Sequence, residues 1–439
     1  MNTKFWRIAT VLLLASMVLT ACAPAATQSA PAEPAAPAEP AAAAEPAATA
    51  EPAATAEPAA PAEAAPADSG SLQIPDVVDG KFNVAFVLIG PHNDGGWSEA
   101  HYNGITYIDQ TMSDVHTAYI ENVPEGADSE QVFRSLARKG FNVIFGTSFG
   151  YMDPMETVAG EFPDVTFIHV SGYKANGTNF GNLFGAMESM KYLAGMIAGA
   201  RAKQDGTPKL GYMATFPIPE ELRLGNAFML GAKKTCPECT MDVRWINTWH
   251  DPVAEKDAAA SLFDAGADVV LTGADTPAVA DVATEKGKWG ITYDFVGSCK
   301  AERCLTTIYW NWGPIYASVV KGIMDKTYVP GWDYFDVDSG SLGIYGFMEG
   351  QELTQGMKEL DPAVITLVKE TLAQMQAGEF TRFDVFAGPI KDNQGNVVVP
   401  EGEKMVQADL DQFPPGAEGL ECKYCMHWWA DGITAELPE

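Results

Sequence analysis

From residue 83 onward the chain alternates short apolar runs with longer amphipathic segments. "NVAFVLIG" (83–90), "HTAYIENV" (116–123), "FNVIFGTS" (141–148) and "DVTFIHVSG" (164–172) are hydrophobic runs of the kind that form buried strands. Helical segments separate them at 96–112, 128–140 and 151–163, the second opening on an Asp-Ser cap and closing at Gly140. A short apolar stretch at 178–185 leads into a helix rich in small residues at 188–203. The pattern then restarts. Strands at 209–216, 241–249 and 267–274 alternate with helices at 220–235, 252–266 and 277–287, and "KWGITYDF" and "CLTTIYWNWG" extend the series. Helices at about 314–326 and 361–377 follow, and "RFDVFAGPIKDNQGNVVVP" predicts a hairpin turning at Asn393-Gln394-Gly395. Two successive βα series predict an α/β fold of two doubly wound parallel-sheet lobes around a cleft. Ligands of such sheets sit beyond the C-terminal strand ends. The loops that matter are therefore 90–98, 147–153, 171–174, 214–219, 247–251, 272–276, 293–296 and 309–313.

The N-terminus follows a different pattern. Lys4 and Arg7 precede an apolar stretch of 12 residues, Ile8 to Leu19. A spanning helix needs about 20, so the stretch reads as a signal-peptide core. It ends in "LTAC", which reads as a lipobox: residues 1–21 are the signal peptide and Cys22 is the lipidated first residue. Residues 22–70 then form an Ala/Pro/Glu tether. Its Glu33, Glu39, Glu45, Glu51, Glu57 and Glu63 recur every six residues, with almost nothing apolar that could offset the entropy of ordering. The first lobe is expected over 71–205, with a return segment near 313–345. The second lobe is expected over 206–312, and 346–439 complete it as a C-terminal region.

Charge narrows the function. With 28 Lys+Arg against 58 Asp+Glu and a formal net charge of −30, the chain is a poor nucleic-acid binder and a poor holder of polyphosphates. Beyond Cys22 the cysteines fall in close pairs: Cys236/Cys239, Cys299/Cys304 and Cys422/Cys425. In an exported protein these read as disulfides, with the connectivity left open by the sequence.

The strand-end loops hold Trp97, Phe149, Tyr151, Phe216, Trp249, Trp310 and Trp312, and with them Asn93, Asp94, Ser148, Asn247, Asp275 and Asp294. Aromatic planes sandwich flat rings, and carboxylates accept hydrogen bonds directionally. Catalytic sets are scarce. There is no G-x-S-x-G elbow and no H-E-x-x-H, and the six histidines show no metal spacing. Asp94 with Asp275 is the one candidate acid/base pair, and the sequence does not fix their separation. "GPHNDGGW" nears the spacing of a phosphate loop but puts Gly96 and Trp97 where Lys and Ser/Thr are needed. A binding protein without enzyme activity, metal or cofactor is expected.

The stretches "FVLIGPHNDGGWSEAHYNG", "FGTSFGYMDP", "FPDVTFIHVSGY", "GYMATFPIPEELRLGNAFMLGAK", "WINTWHDPVAEKDAA", "YWNWGP", "FAGPIKDNQGNVVVPEGE" and "MHWWADGI" carry a family likeness. The chain from about 81 onward resembles the basic membrane protein (BMP) family of ABC-transporter substrate-binding lipoproteins, the purine-nucleoside-receptor group. The resemblance implies a periplasmic-binding-protein type I fold with three hinge strands. It also implies delivery of a purine nucleoside or nucleobase to an ABC permease from the outer face of the membrane. It places Asn93, Asp94 and Trp97 in the ligand loop and Phe149 and Tyr151 after the third strand. Phe216 falls where a second-lobe aromatic stacks, and Asp275 and Asp294 where second-lobe carboxylates stand. Trp310 is added as a strand-end aromatic. In the first loop the nucleoside receptors carry Asp-Lys-Ser-Phe-Asn, whereas this chain has Gly-Gly-Trp. A sugar or other polar solute, or a signalling or adhesion lipoprotein without transport, are the alternatives.

Overall fold

Burial on both faces shapes the first sheet. β1 (Phe82–Leu88), β3 (Val143–Thr147) and β4 (Thr166–Val170) are almost wholly buried, as their unbroken apolar runs require. They pair in parallel with β2 (Val115–Ile120) and β5 (Phe180–Gly185). α1 (Trp97–Thr111), α2 (Ala127–Lys139) and α3 (Met152–Glu161) connect them. The computed structural model describes residues 73–411 and 422–437; the expected signal peptide, Cys22 and the whole of the tether lie outside the described residues.

After β5 the chain enters α4 (Met187–Gln204), then β6 (Lys209–Ala214), α5 (Pro219–Thr235), β7 (Thr240–Trp245) and α6 (Pro252–Asp264). β8 (Val269–Thr272), α7 (Ala278–Lys286), β9 (Trp289–Thr292) and β10 (Cys304–Trp310) follow. α8 (Trp312–Met324) packs against α1, and β11 (Trp332–Phe335) joins the edge of the first sheet beside β5. β12 (Leu342–Ile344) then pairs antiparallel with β10. The strand orders are β11-β5-β4-β3-β1-β2 and β12-β10-β9-β8-β6-β7. The chain thus passes between the sheets after β5, after β10 and after β11, which makes the three crossings a hinge needs.

The sequence reading carried the first lobe to residue 205. In the structure α4 lies against α5, β10, β12 and β6, on the second sheet. It is buried nearly all round because Gly195 and Gly231 let the two helix backbones touch: a Cβ on Gly231 would lie 1.9 Å from the Tyr192 carbonyl oxygen. The C-terminal region returns to the same lobe, where the Met241 amide donates to the Gly432 carbonyl. The hairpin forms as expected, Ile390 opposite Val399, with Gly395 at φ +89° in its turn. The cysteines pair locally, Cys236–Cys239, Cys299–Cys304 and Cys422–Cys425. Among the described residues no helix is long and apolar enough to cross a membrane.

Candidate functional site

The strand-end loops of the two sheets meet around a cavity of ≈ 410 Å³. From the first lobe come Ile89, Trp97, Ser148, Phe149 and Ser171; from the second come Glu220, Glu221, Trp249, Gly273, Asp275, Tyr293 and Asp294. An adjoining chamber of ≈ 390 Å³ shares Phe149, Ser171 and Glu220 with it.

The first wall is built by Asp94. Its Oδ1 accepts from the Gly96 and Glu99 amides (2.9 and 3.0 Å) and its Oδ2 from the Ser98 amide (2.9 Å), so the carboxylate caps α1. Trp97 opens that helix, and its indole N–H donates to the Thr147 carbonyl at 2.7 Å, which fixes the ring plane. Buried His169 steadies the next loop. Its Nε2 must carry the proton, because its partner at 2.7 Å is the Ser148 carbonyl, and burial pushes its pKa down to about 4. Asn182 Oδ1 accepts from the Gly172 amide at 2.6 Å and holds the turn that presents Ser171.

The second wall is acidic. Burial raises the pKa of Asp275, and the nearby Asp294, Asp94, Glu255 and Glu221 add to it. Burial also raises Asp294, against the pull of the Trp310 indole N–H at 2.8 Å and of Lys191. Glu220 is pushed up to about 8, chiefly by burial. Glu221 is raised by burial while it accepts from the Tyr212 hydroxyl at 2.5 Å. Two buried cations bear on these groups: Arg223 on Glu220, and Lys191. Lys191, fully buried, donates to the Thr272 carbonyl at 2.9 Å, sits 3.6 Å above the Tyr293 ring and is lowered to about 8 by desolvation. The Tyr293 hydroxyl is buried, lines the cavity and has no hydrogen-bond partner. A buried orphan hydroxyl is costly unless a ligand answers it.

The two walls touch where Gly96 meets the second lobe: a Cβ there would lie 1.6 Å from the Asp275 carbonyl oxygen. That close approach leaves no room for a side chain at Gly96.

Residues 81–376 match the family described as ABC transporter substrate-binding protein PnrA-like (Bmp). The chain belongs to that family. A purine-binding protein of Brucella abortus is 35% identical over 362 residues, 82% of this chain and 95% of the relative. A Haloferax volcanii protein whose name assigns it to glucose binding for an ABC transporter is 33% identical over 340 residues, 77% of this chain and 80% of the relative. A solute-binding protein structure from Aeropyrum pernix aligns with TM-score 0.59 at 16% identity, covering 75% of this chain and 96% of that one. One from Conexibacter woesei aligns with TM-score 0.54 at 20% identity, covering 68% and 97%. The fold is the type I solute-binding architecture of two lobes around a cleft.

As a Bmp-family substrate-binding protein the chain works outside the cytoplasm with a small-molecule solute and an ABC permease, and the family is one of binders and not of enzymes. Of the residues singled out in its sequence, Trp97, Phe149, Asp275 and Asp294 line the cavity together. Asp94 stands beside them and accepts three N–H bonds from the start of α1, and Asn93 is exposed at the loop tip. Phe216 tilts against Trp249 at 5.0 Å between ring centroids, and Trp249 is the one that lines the cavity. Tyr151 is in the first-lobe core, where its hydroxyl donates to the Val123 carbonyl and its ring meets Phe133. Trp310 is buried in an interior stack, 4.8 Å from Trp312 and 5.3 Å from Phe184, and lines neither chamber. Glu220, Glu221, Tyr293 and Lys191 were not singled out. In the sequence these residues fall inside or beside the helical segments 188–203 and 220–235, or in a loop, with nothing in the pattern to set them apart.

Proposed function

We propose that this protein binds a purine nucleoside or nucleobase between its lobes and delivers it to the permease, tethered to the membrane through lipidated Cys22. The observation that carries the reading is the cavity itself. Trp97 and Phe149 of one lobe and Trp249 of the other supply flat apolar faces, while Asp275, Asp294, Glu220 and the unpartnered Tyr293 hydroxyl supply polar contacts. Flat faces with polar groups between them, at the junction of two lobes, suit a small heterocycle with its sugar. The Brucella relative supports the purine assignment. Binding proceeds without turnover, by closure of a pre-existing open and closed equilibrium.

One observation favours a second reading. The Haloferax relative is nearly as similar, and aromatic faces rimmed by carboxylates also suit a sugar. Titration calorimetry with adenosine, guanosine, inosine, their free bases and glucose separates the two. The purine reading expects a 1:1 isotherm with at least one purine and none with glucose. Binding of glucose with no response to any purine at millimolar concentration overturns it. Mass spectrometry of the mature chain tests the anchor: an acylated N-terminal cysteine is expected, and an unmodified one contradicts it.

A further inference from the structure

Three loops that contribute separately to the cleft bring Asp94, His250 and Asp275 together, each offering one ligand atom, all within 4.8 Å of one another. Asp94 belongs to the first lobe, and His250 and Asp275 to the second. The Asp275 side chain is 5% exposed, accepts no hydrogen bond and makes no ion pair among the described residues. The charged groups that bear on it are all carboxylates. Among the described residues no side chain or backbone N–H answers this carboxylate, although it faces a second one across the lobe boundary. Asp94 has capacity to spare: Oδ1 takes two N–H bonds but Oδ2 only one, which leaves Oδ2 a lone pair. His250 is exposed and free to turn its ring towards the pair.

The geometry points to a divalent-cation site formed by Asp94, His250 and Asp275, which clasps the two lobes where Gly96 abuts the Asp275 carbonyl. One imidazole and two carboxylates are a borderline donor set, suited to zinc and its first-row neighbours more than to calcium or magnesium. Three protein ligands leave a fourth position to water or solute. The cation neutralises the facing carboxylates and makes contact between the lobes favourable where bare charges oppose it. The spacing of the histidines in the sequence could not show this, because the ligands come from positions 94, 250 and 275 and only the fold assembles them. The inference does not depend on which solute the cavity takes.

The test uses the full chain, stripped with chelator and free of solute, titrated with Zn²⁺ in a calorimeter and with Co²⁺ by visible absorption. One saturable site per chain with ligand-field bands of a low-symmetry Co²⁺ centre is expected. Loss of an outer-sphere partner already costs about 10–100-fold in metal affinity. His250→Ala and Asp275→Asn should therefore each weaken Zn²⁺ by at least about tenfold. His92→Ala, which removes the imidazole paired with Glu121 elsewhere on the loop, should leave affinity unchanged. Circular dichroism checks that each variant is folded, and His250, being exposed, can be removed without disturbing the core. No saturable Zn²⁺ binding by the wild type, equal affinity in His250→Ala, or an equal loss in His92→Ala overturns the site.

Discussion

Of the contacts in this molecule where glycine brings backbone against backbone, two behave differently. Between α4 and α5, Gly195 faces the Phe228 carbonyl and Gly231 the Tyr192 carbonyl, where a Cβ would come within 2.0 and 1.9 Å. At the cleft, Gly96 faces the Asp275 carbonyl, where a Cβ would come within 1.6 Å. The first contact is sealed by buried Tyr192, Phe228, Leu193 and Met229, so it forms once, on folding. The second is bordered by Asp94 and Asp275, two carboxylates that face each other across the lobe boundary. The same steric device serves the fold in one place and a reversible closure in the other.

The comparison breaks most visibly at the helix pair. Gly231→Val should cost about 3 kcal/mol or more, by overpacking against a carbonyl that no side-chain rotation can relieve. Chemical denaturation of the soluble fraction measures it, and an unchanged midpoint would refute the permanence of that contact. Gly96→Val should leave the solute-free denaturation midpoint within error of the wild type. It should also weaken solute binding by at least about 100-fold, close to 2.7 kcal/mol. A variant that destabilises the free protein as strongly as Gly231→Val would erase the distinction between the two contacts.

Smaller effects sharpen the picture inside the cleft. Tyr293→Phe removes a buried hydroxyl that no protein group satisfies. Stability of the free protein should hold or rise, while solute affinity should fall about three- to tenfold, as for one lost hydrogen bond. Equal affinity in calorimetry would remove Tyr293 from the binding set. The smallest effect is a pH slope. Glu220, held up at about 8 by burial, keeps its proton when folded at pH values where the unfolded chain has released it. Its stabilising contribution is complete below its unfolded pKa and is lost as pH rises through about 8. Glu255, at about 7, acts in the same direction. His169, at about 4, acts in the opposite direction but only below about 6.5, and Lys191, lowered to about 8, only above that value. Melting temperature should therefore fall between about pH 6.5 and 8, and Glu220→Gln should fall less. Parallel curves for the two proteins would contradict the assignment.

The strand-and-helix order was legible because both sheets are buried on two faces, so that β1, β3 and β8 carry unbroken apolar runs with loops between them. Trp97, Phe149, Asp275 and Asp294 were legible for a simple reason: each sits at the C-terminal end of a strand in a fold that binds there. Tyr151 was misplaced because Phe149–Tyr151 is a 3₁₀ turn, with three residues per turn. Residues two apart on it point to different sides, Phe149 to the cleft and Tyr151 to the core. Trp310 ends β10 on its inward face, and its neighbour Trp312 draws it into the interior stack. Glu220, Glu221 and Lys191 lie on helices whose surroundings are set by the second sheet, which a linear pattern of charges does not reveal.

A crystal structure of the full chain soaked with the purine that binds best in calorimetry bears on the central claim most directly. The account predicts the ring in the ≈ 410 Å³ cavity, stacked on Trp97, Phe149 or Trp249, with the Tyr293 hydroxyl or the Asp294 or Asp275 carboxylate on its polar edge. A purine bound outside that cavity, with the lobes closed and the cavity empty, would contradict it.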